Sequence, residues 1–135
     1  MGGTEHAATG SATQALVLFA HGSRDPLWHG PIEAVAQAIR ARAPHLPVVC
    51  AYLELSQPDL PQVTAQLAAQ GVRHITVIPM FLGVGKHARQ DLPQLLAQCQ
   101  SENPGVVLRA TPSVGEDAQV IEVLASVALQ ALSPT

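Results

Sequence analysis

The stretch ALVLFAHGSRDP, residues 15–26, changes character halfway. Up to Ala20 it is an apolar run of strand length with little alternation. Strands buried on both faces of a parallel sheet look like this. From His21 to Asp25 it becomes small and polar, the composition of a tight turn. An apolar strand ending abruptly in a polar turn is the repeating unit of α/β folds, and the rest of the chain repeats it.

Further Val- and Ile-rich runs cover 47–54, 74–80 and 106–111. Between them apolar residues recur at helical spacing: Ile32, Val35, Ala36 and Ile39; Val63, Leu67 and Ala68; Leu92, Leu95 and Leu96; and finally Ile121, Leu124, Val127 and Ala128. Pro31, Pro58, Pro61 and Pro93 are placed at helix beginnings, and Gly71 at a helix end. The alternation βαβαβαβα implies right-handed crossovers and a four-stranded parallel sheet flanked by helices, with the flavodoxin-like order 2-1-3-4. The expected organisation is a tail over residues 1–14 and one α/β domain over 15–135.

Bulk properties narrow the function. At 135 residues and 47% hydrophobic content the chain can bury a core. Seven scattered Lys and Arg residues and a net charge of −3 argue against a nucleic-acid partner. No apolar run approaches the ~20 residues that span a bilayer, so no membrane partner is expected. The start of the chain lacks the basic and apolar parts of a secretory signal. Cys50 and Cys99 have no framework or metal-motif spacing and read as reduced, buried thiols of a cytoplasmic protein.

Ligands of such sheets bind beyond the carboxyl ends of the strands, where the winding direction reverses. That point falls between the first and third strands. The loop after the first carries His21, the loop after the third (PMFLGVGKHARQD, 79–91) carries His87, and the second strand ends at Glu54. Three side chains able to bind metal or move protons thus share one rim. Each also has a plainer reading. His21 fits a strand-to-helix turn in which Ser23 or Asp25 caps the helix, Glu54 could cap the helix near Pro58, and His87 could simply stand near a helix start. Met80, Phe81 and Leu82 offer an apolar wall. Arg24, Lys86 and Arg89 are either solvated charges or partners for carboxylate or phosphate. His29, His45, His74 and His6 lie at a helix start, in a loop, at the far end of a strand and in the tail.

LFAHGSRDP, then YLEL, then IPMFLGVGKHARQDLP resemble, in that order, the small class II tetrapyrrole chelatases, the sirohydrochlorin chelatases of the CbiX and SirB type. The resemblance runs from residue 15 to about 130. It implies insertion of Co²⁺ or Fe²⁺ into sirohydrochlorin, in cobalamin or sirohaem synthesis, with His21 and His87 as metal-binding and catalytic histidines and Glu54 as the acidic partner. It implies Arg24, Phe81, Leu82, Lys86 and Arg89 as substrate contacts, and a homodimer of single halves. No permanently bound cofactor is expected: the ion is a substrate, and imidazoles accept Co²⁺, Fe²⁺ and Ni²⁺ alike. A non-catalytic tetrapyrrole or metal carrier would use the same pocket. A histidine phosphatase is disfavoured because Ala20 stands where its arginine would be, and a serine hydrolase because Ser23 lacks the nucleophile-elbow glycines.

Overall fold

A computed structural model describes residues 12–132 of the chain. Strand β1 (Gln14–Ala20) is followed by a short 3-10 turn (Pro26–His29), α1 (Gly30–Arg42), β2 (Val48–Tyr52) and α2 (Leu60–Ala69). Then come β3 (His74–Pro79), α3 (Lys86–Glu102), β4 (Val107–Ala110), a second 3-10 turn (Val114–Glu116) and α4 (Ala118–Gln130). The strands form one parallel sheet in the order β2-β1-β3-β4, as the sequence implies. In register, Leu18 lies between Cys50 and Ile78, so the carboxyl ends of β2, β1 and β3 form one rim.

Local chemistry sets the boundaries. Asp59 caps α2 by accepting from the Gln62 amide, while the Gln62 side chain accepts from the Asp59 amide. Gly71 follows α2 at φ 92°, a conformation that favours glycine. Pro61 is the second residue of α2 and Pro31 the second of α1, both positions where the missing N–H is harmless. Pro58 lies outside, just before the Asp59 cap. Pro93 corrects the sequence reading: it sits inside α3, which begins seven residues earlier at Lys86. The glycine-rich approach hides that start, and the helix gives up the bond that residue 93 would have donated to the Arg89 carbonyl. β1 starts at Gln14, and the Thr13 carbonyl accepts from the Arg73 and His74 amides. Residues 1–11 of the expected tail, His6 among them, lie outside the described residues.

The two faces of the sheet are covered unequally. On one face Val17, Phe19, Ala51, Ile75 and Val77 pack beneath α2 and α3, against Leu60, Val63, Leu67 and Cys99. Each large apolar side chain buried there contributes roughly 1.5–3 kcal/mol. On the other face α1 brings Ile32 and Ala36 over Leu18, Val48, Cys50 and Tyr52. No described helix covers the same face of β3 and β4, where Val107 is 55% exposed and Ile78 and Met80 are partly exposed. The fourth apolar stripe, Ile121, Leu124, Val127 and Ala128, was expected to flank the sheet; instead α4 buries no residue, and its main contact within the chain is the Val114–Glu116 turn. Cys50 and Cys99 are buried free thiols. No described helix is long and apolar enough to cross a membrane.

Candidate metal centre

The polar turn after β1 is built around His21. Its Nδ1 lies 2.9 Å from Glu54 Oε1, and Glu54 Oε2 accepts from the Gly22 amide at 2.7 Å. Facing an ionised carboxylate, Nδ1 carries the proton and donates it, which leaves the Nε2 lone pair free. Partial desolvation pushes the Glu54 pKa up, but the hydrogen bonds from His21 and Gly22 outweigh it and hold the carboxyl below its ordinary value. A carboxylate with both oxygens engaged orients the imidazole. Glycine is required at residue 22, since a Cβ there would stand 1.8 Å from the Glu54 carbonyl oxygen.

Three further contacts hold the ring and its loop. Phe81 lies beneath it, with centroids 4.8 Å apart, and Phe81 itself packs edge-on against Phe19. The Trp28 indole N–H donates to the His21 carbonyl at 2.8 Å. The Ser56 hydroxyl accepts from the Ser23 amide and donates to the Ser23 carbonyl, at 2.9 and 2.8 Å, and stands 2.9 Å from His29 Nε2. Because that hydroxyl's single proton goes to Ser23, His29 donates through Nε2. Between Glu54 and Ser56, Leu55 is held at φ 66°, which a bulky side chain adopts only where its neighbours over-determine it. Asp25 caps the following turn by accepting from the Leu27 amide. Asp25 thus takes the capping role of the plain turn reading, while His21 faces Glu54.

His87 reaches the same place from α3. His21, Leu53, Glu54, Gly85, Lys86, His87, Ala88 and Asp91 line one cavity of about 480 Å³. All three rim residues inferred from topology meet there, although they are far apart in sequence. Glu54 lies two residues beyond the end of β2 and caps no helix. Asp91 was missed. Its position four residues after His87 puts it on the same helical face, a signal the sequence contained. Among the described residues, no group of three or more His, Cys, Asp or Glu side chains is placed to hold a metal ion. The site therefore presents separate donors around an open space.

The proposed substrate contacts divide. Lys86 lines the cavity, and Leu82 is 69% exposed on the loop before α3. Phe81 is only 5% exposed and supports His21 from below, because its backbone is held by Ser113 and Gly115. Arg89 lines a separate hollow with Val84, Leu92 and Ala110. Arg24 is exposed on the loop leading to α1, outside the His21–His87 cavity. His74 stands at the opposite end of the sheet, as its place at a strand start implies.

The CbiX family model matches residues 15–131. The chain belongs to the CbiX family. A sirohydrochlorin cobaltochelatase from Methanothermobacter thermautotrophicus is 38% identical over 81 residues, covering 60% of this chain and 56% of that protein, so the match spans little more than half of the relative's length. Among solved structures, a CbiX protein from Marinobacter aquaeolei VT8 superposes with a TM-score of 0.80 at 29% identity, over 90% of this chain and 99% of the other. The sirohydrochlorin chelatase SirB from Bacillus subtilis subspecies spizizenii, in complex with cobalt, gives 0.74 at 26% identity, over 89% of this chain and 51% of SirB. This CbiX chain thus corresponds to a whole small relative and to half of a larger one.

Proposed function

We propose that this CbiX chain is a sirohydrochlorin chelatase that inserts Co²⁺ or Fe²⁺ into the tetrapyrrole in cobalamin or sirohaem synthesis. It acts in the cytoplasm as a homodimer with no resident cofactor. The carrying observation is the His21–Glu54 pair, which frees one imidazole nitrogen toward a cavity also lined by His87. Relatives named for cobalt and iron chelation supply the substrate class. The likeness to half of SirB supports the dimer: two copies would supply what that chain holds in one.

Insertion exchanges two pyrrole N–H protons for one divalent ion, so the protein must give up a metal and take up protons. His21 Nε2 would do both in turn: it ligates the ion, releases it to the ring nitrogens, and its vacated lone pair accepts one of the two protons, the other passing to solvent in the open cavity. Glu54 stabilises the imidazolium that results. His87 is a second, separate donor, so the ion keeps exchangeable positions, unlike one in a closed structural site. Lys86 and the uncapped amides at the start of α3 attract the ring's carboxylates, and Leu82 offers an apolar contact. Arg24 and Arg89 act at longer reach, on carboxylates that extend beyond the cavity.

The test is anaerobic mixing of the protein with sirohydrochlorin and Co²⁺ or Fe²⁺, followed by absorbance. The expected result is metallation faster than the spontaneous reaction. A tetrapyrrole that binds but is metallated no faster would overturn the enzyme and leave a carrier.

A further inference from the structure

Two residues of the loop after β2 reach across to the loop after β1: Glu54 to His21 and Gly22, and Ser56 to Ser23. Leu55, between them, has to take the conformation that lets both neighbours reach. That conformation is φ 66°, and among the described residues Leu55 is the one non-glycine at positive φ. The bonds of Glu54 and Ser56 account for the backbone. They do not account for the side chain. Glycine would adopt the same conformation without steric penalty, and asparagine nearly so. Leucine is disfavoured there, and burial does not offset this, because 59% of the residue is exposed. A bulky apolar side chain that costs the free protein stability and makes few contacts within it is suited to a ligand.

Its surroundings narrow the kind of ligand. Each loop beyond β1, β2 and β3 carries a large apolar residue more than half exposed: Leu27 (83%) and Trp28 (53%), then Leu55, then Leu82 (69%). Elsewhere among the described residues, exposed large apolar side chains are confined to α4 with Leu132 after it, and to Val107 and Val35. The donors His21, Glu54 and His87 thus stand on loops that also bear an apolar collar. Cations are placed unevenly around it. Arg24 precedes Leu27 and Lys86 follows Leu82, whereas LELSQPD, residues 53–59, holds no Lys or Arg. A flat macrocycle fringed with carboxylates matches this pattern. Its fringe suits the two cationic loops, and only its apolar face suits Leu55.

We infer that Leu55 is a substrate-contacting residue: its side chain packs on the apolar face of the tetrapyrrole beside Glu54, while the ring's carboxylates turn toward the loops after β1 and β3. This deepens the chelatase reading above and rests on it. Anchored neighbours on both sides present Leu55 before the ring arrives, so little backbone freedom is lost on contact. The same turn then serves two ends. It sends Glu54 inward to orient His21, and it sends the next side chain outward to the ring that His21 must reach.

Leu55→Asn separates contact from scaffold, because asparagine suits the left-handed backbone. The variant is expected to melt no lower than wild type. In metal-free titrations followed by absorbance, it should bind sirohydrochlorin about tenfold more weakly, the scale of losing a partly buried leucine. Leu55→Met restores an apolar contact and should bind the ring within about twofold of wild type. Co²⁺ binding to the ring-free protein should be the same for all three. In metallation the loss should fall on KM for the ring, with kcat moving least. A merely structural Leu55 would instead lower the melt and disturb Glu54, so that Co²⁺ affinity fell together with ring affinity. That pattern, an Asn variant that binds the ring as wild type does, or a Met variant as weak as the Asn one overturns the inference. The two readings fail differently. A wild type that metallates the ring with no help from Leu55 sinks the contact alone, whereas a wild type that binds no sirohydrochlorin sinks the chelatase and the contact with it.

Discussion

The two imidazoles of the cavity are held in opposite ways. His21 is gripped through its ring by Glu54 and Phe81, through its carbonyl by Trp28, and through the next two residues by Glu54 and Ser56. His87 makes no hydrogen bond among the described residues. It stands on the first turn of a helix with no side-chain cap, after a loop whose Gly83 and Gly85 have open space around them. A preorganised donor loses little freedom when a ligand arrives, whereas a loosely held one must be ordered. A protein that has to collect an ion and then part with it benefits from one donor of each kind. In the insertion proposed above, the fixed one would present the ion to the ring, and the loosely held one would catch it and let go.

That asymmetry is broken first at His21. His21→Ala removes both the presenting nitrogen and the proton acceptor, and metallation is expected to fall on the order of 10²- to 10⁴-fold. Stopped-flow absorbance at saturating metal would read this as a loss in kcat. Equal losses from His21→Ala and His87→Ala would erase the distinction between the two histidines.

Glu54→Gln should come next, at roughly 10–100-fold, the usual scale for the partner that orients a metal-binding histidine. The amide can still accept from Nδ1, but its NH₂ then faces the Gly22 amide, donor against donor. The same variant reports on acid stability. The folded carboxyl titrates below its ordinary value, so the unfolded chain takes up the proton first. The stabilisation is complete above the ordinary Glu pKa and is lost as pH falls through the lower folded value. Melts from pH 6 downward should show a shallower acid loss in Glu54→Gln than in wild type. Parallel curves would mean that the carboxylate's bonds add nothing to the fold.

His87→Ala follows, at about tenfold, expressed mainly as a raised KM for the metal. A donor that catches the ion acts before the chemical step, so kcat should move least.

Much of this geometry was legible because topology, not local spacing, assembles it. The strand order alone brings the ends of β1, β2 and β3 together, and His21, Glu54 and His87 follow from that. Which hydrogen bond each makes was not legible. Glu54 could have capped α2, and only the close approach permitted by Gly22 sends it to His21 instead. Phe81 and Leu82 are adjacent and equally apolar, yet one is buried under His21 and the other exposed, a difference set beyond the end of β3 by the bonds of the Phe81 carbonyl to Ser113 and Gly115. Pro93 misled because proline marks helix starts more often than it sits inside helices, and α3 tolerates it. The stripe on α4 was read correctly as apolar, but periodicity does not say what such a face meets, and within this chain the helix mainly contacts the Val114–Glu116 turn.

The smallest effect on chemistry is expected at Ser56. Its hydroxyl serves the Ser23 amide and carbonyl and His29 at once, so Ser56→Ala strands half-buried polar groups at a cost of about 1–3 kcal/mol. For a domain of this size that is a fall in Tm of roughly 3–10 °C. Ser56 holds the backbone two residues beyond His21 and touches neither the ring nor Glu54. Metallation measured well below the melting range should therefore drop no more than a few-fold. The comparison between carboxylate and hydroxyl then locates what positions the imidazole. If Ser56→Ala slows insertion as much as Glu54→Gln does, the loop as a whole aims His21, and the Glu54 bond is only its most visible part. If the melt shifts and the rate does not, the carboxylate alone sets the ring, and the Ser56 latch serves the strained turn at Leu55 that carries Glu54 into place.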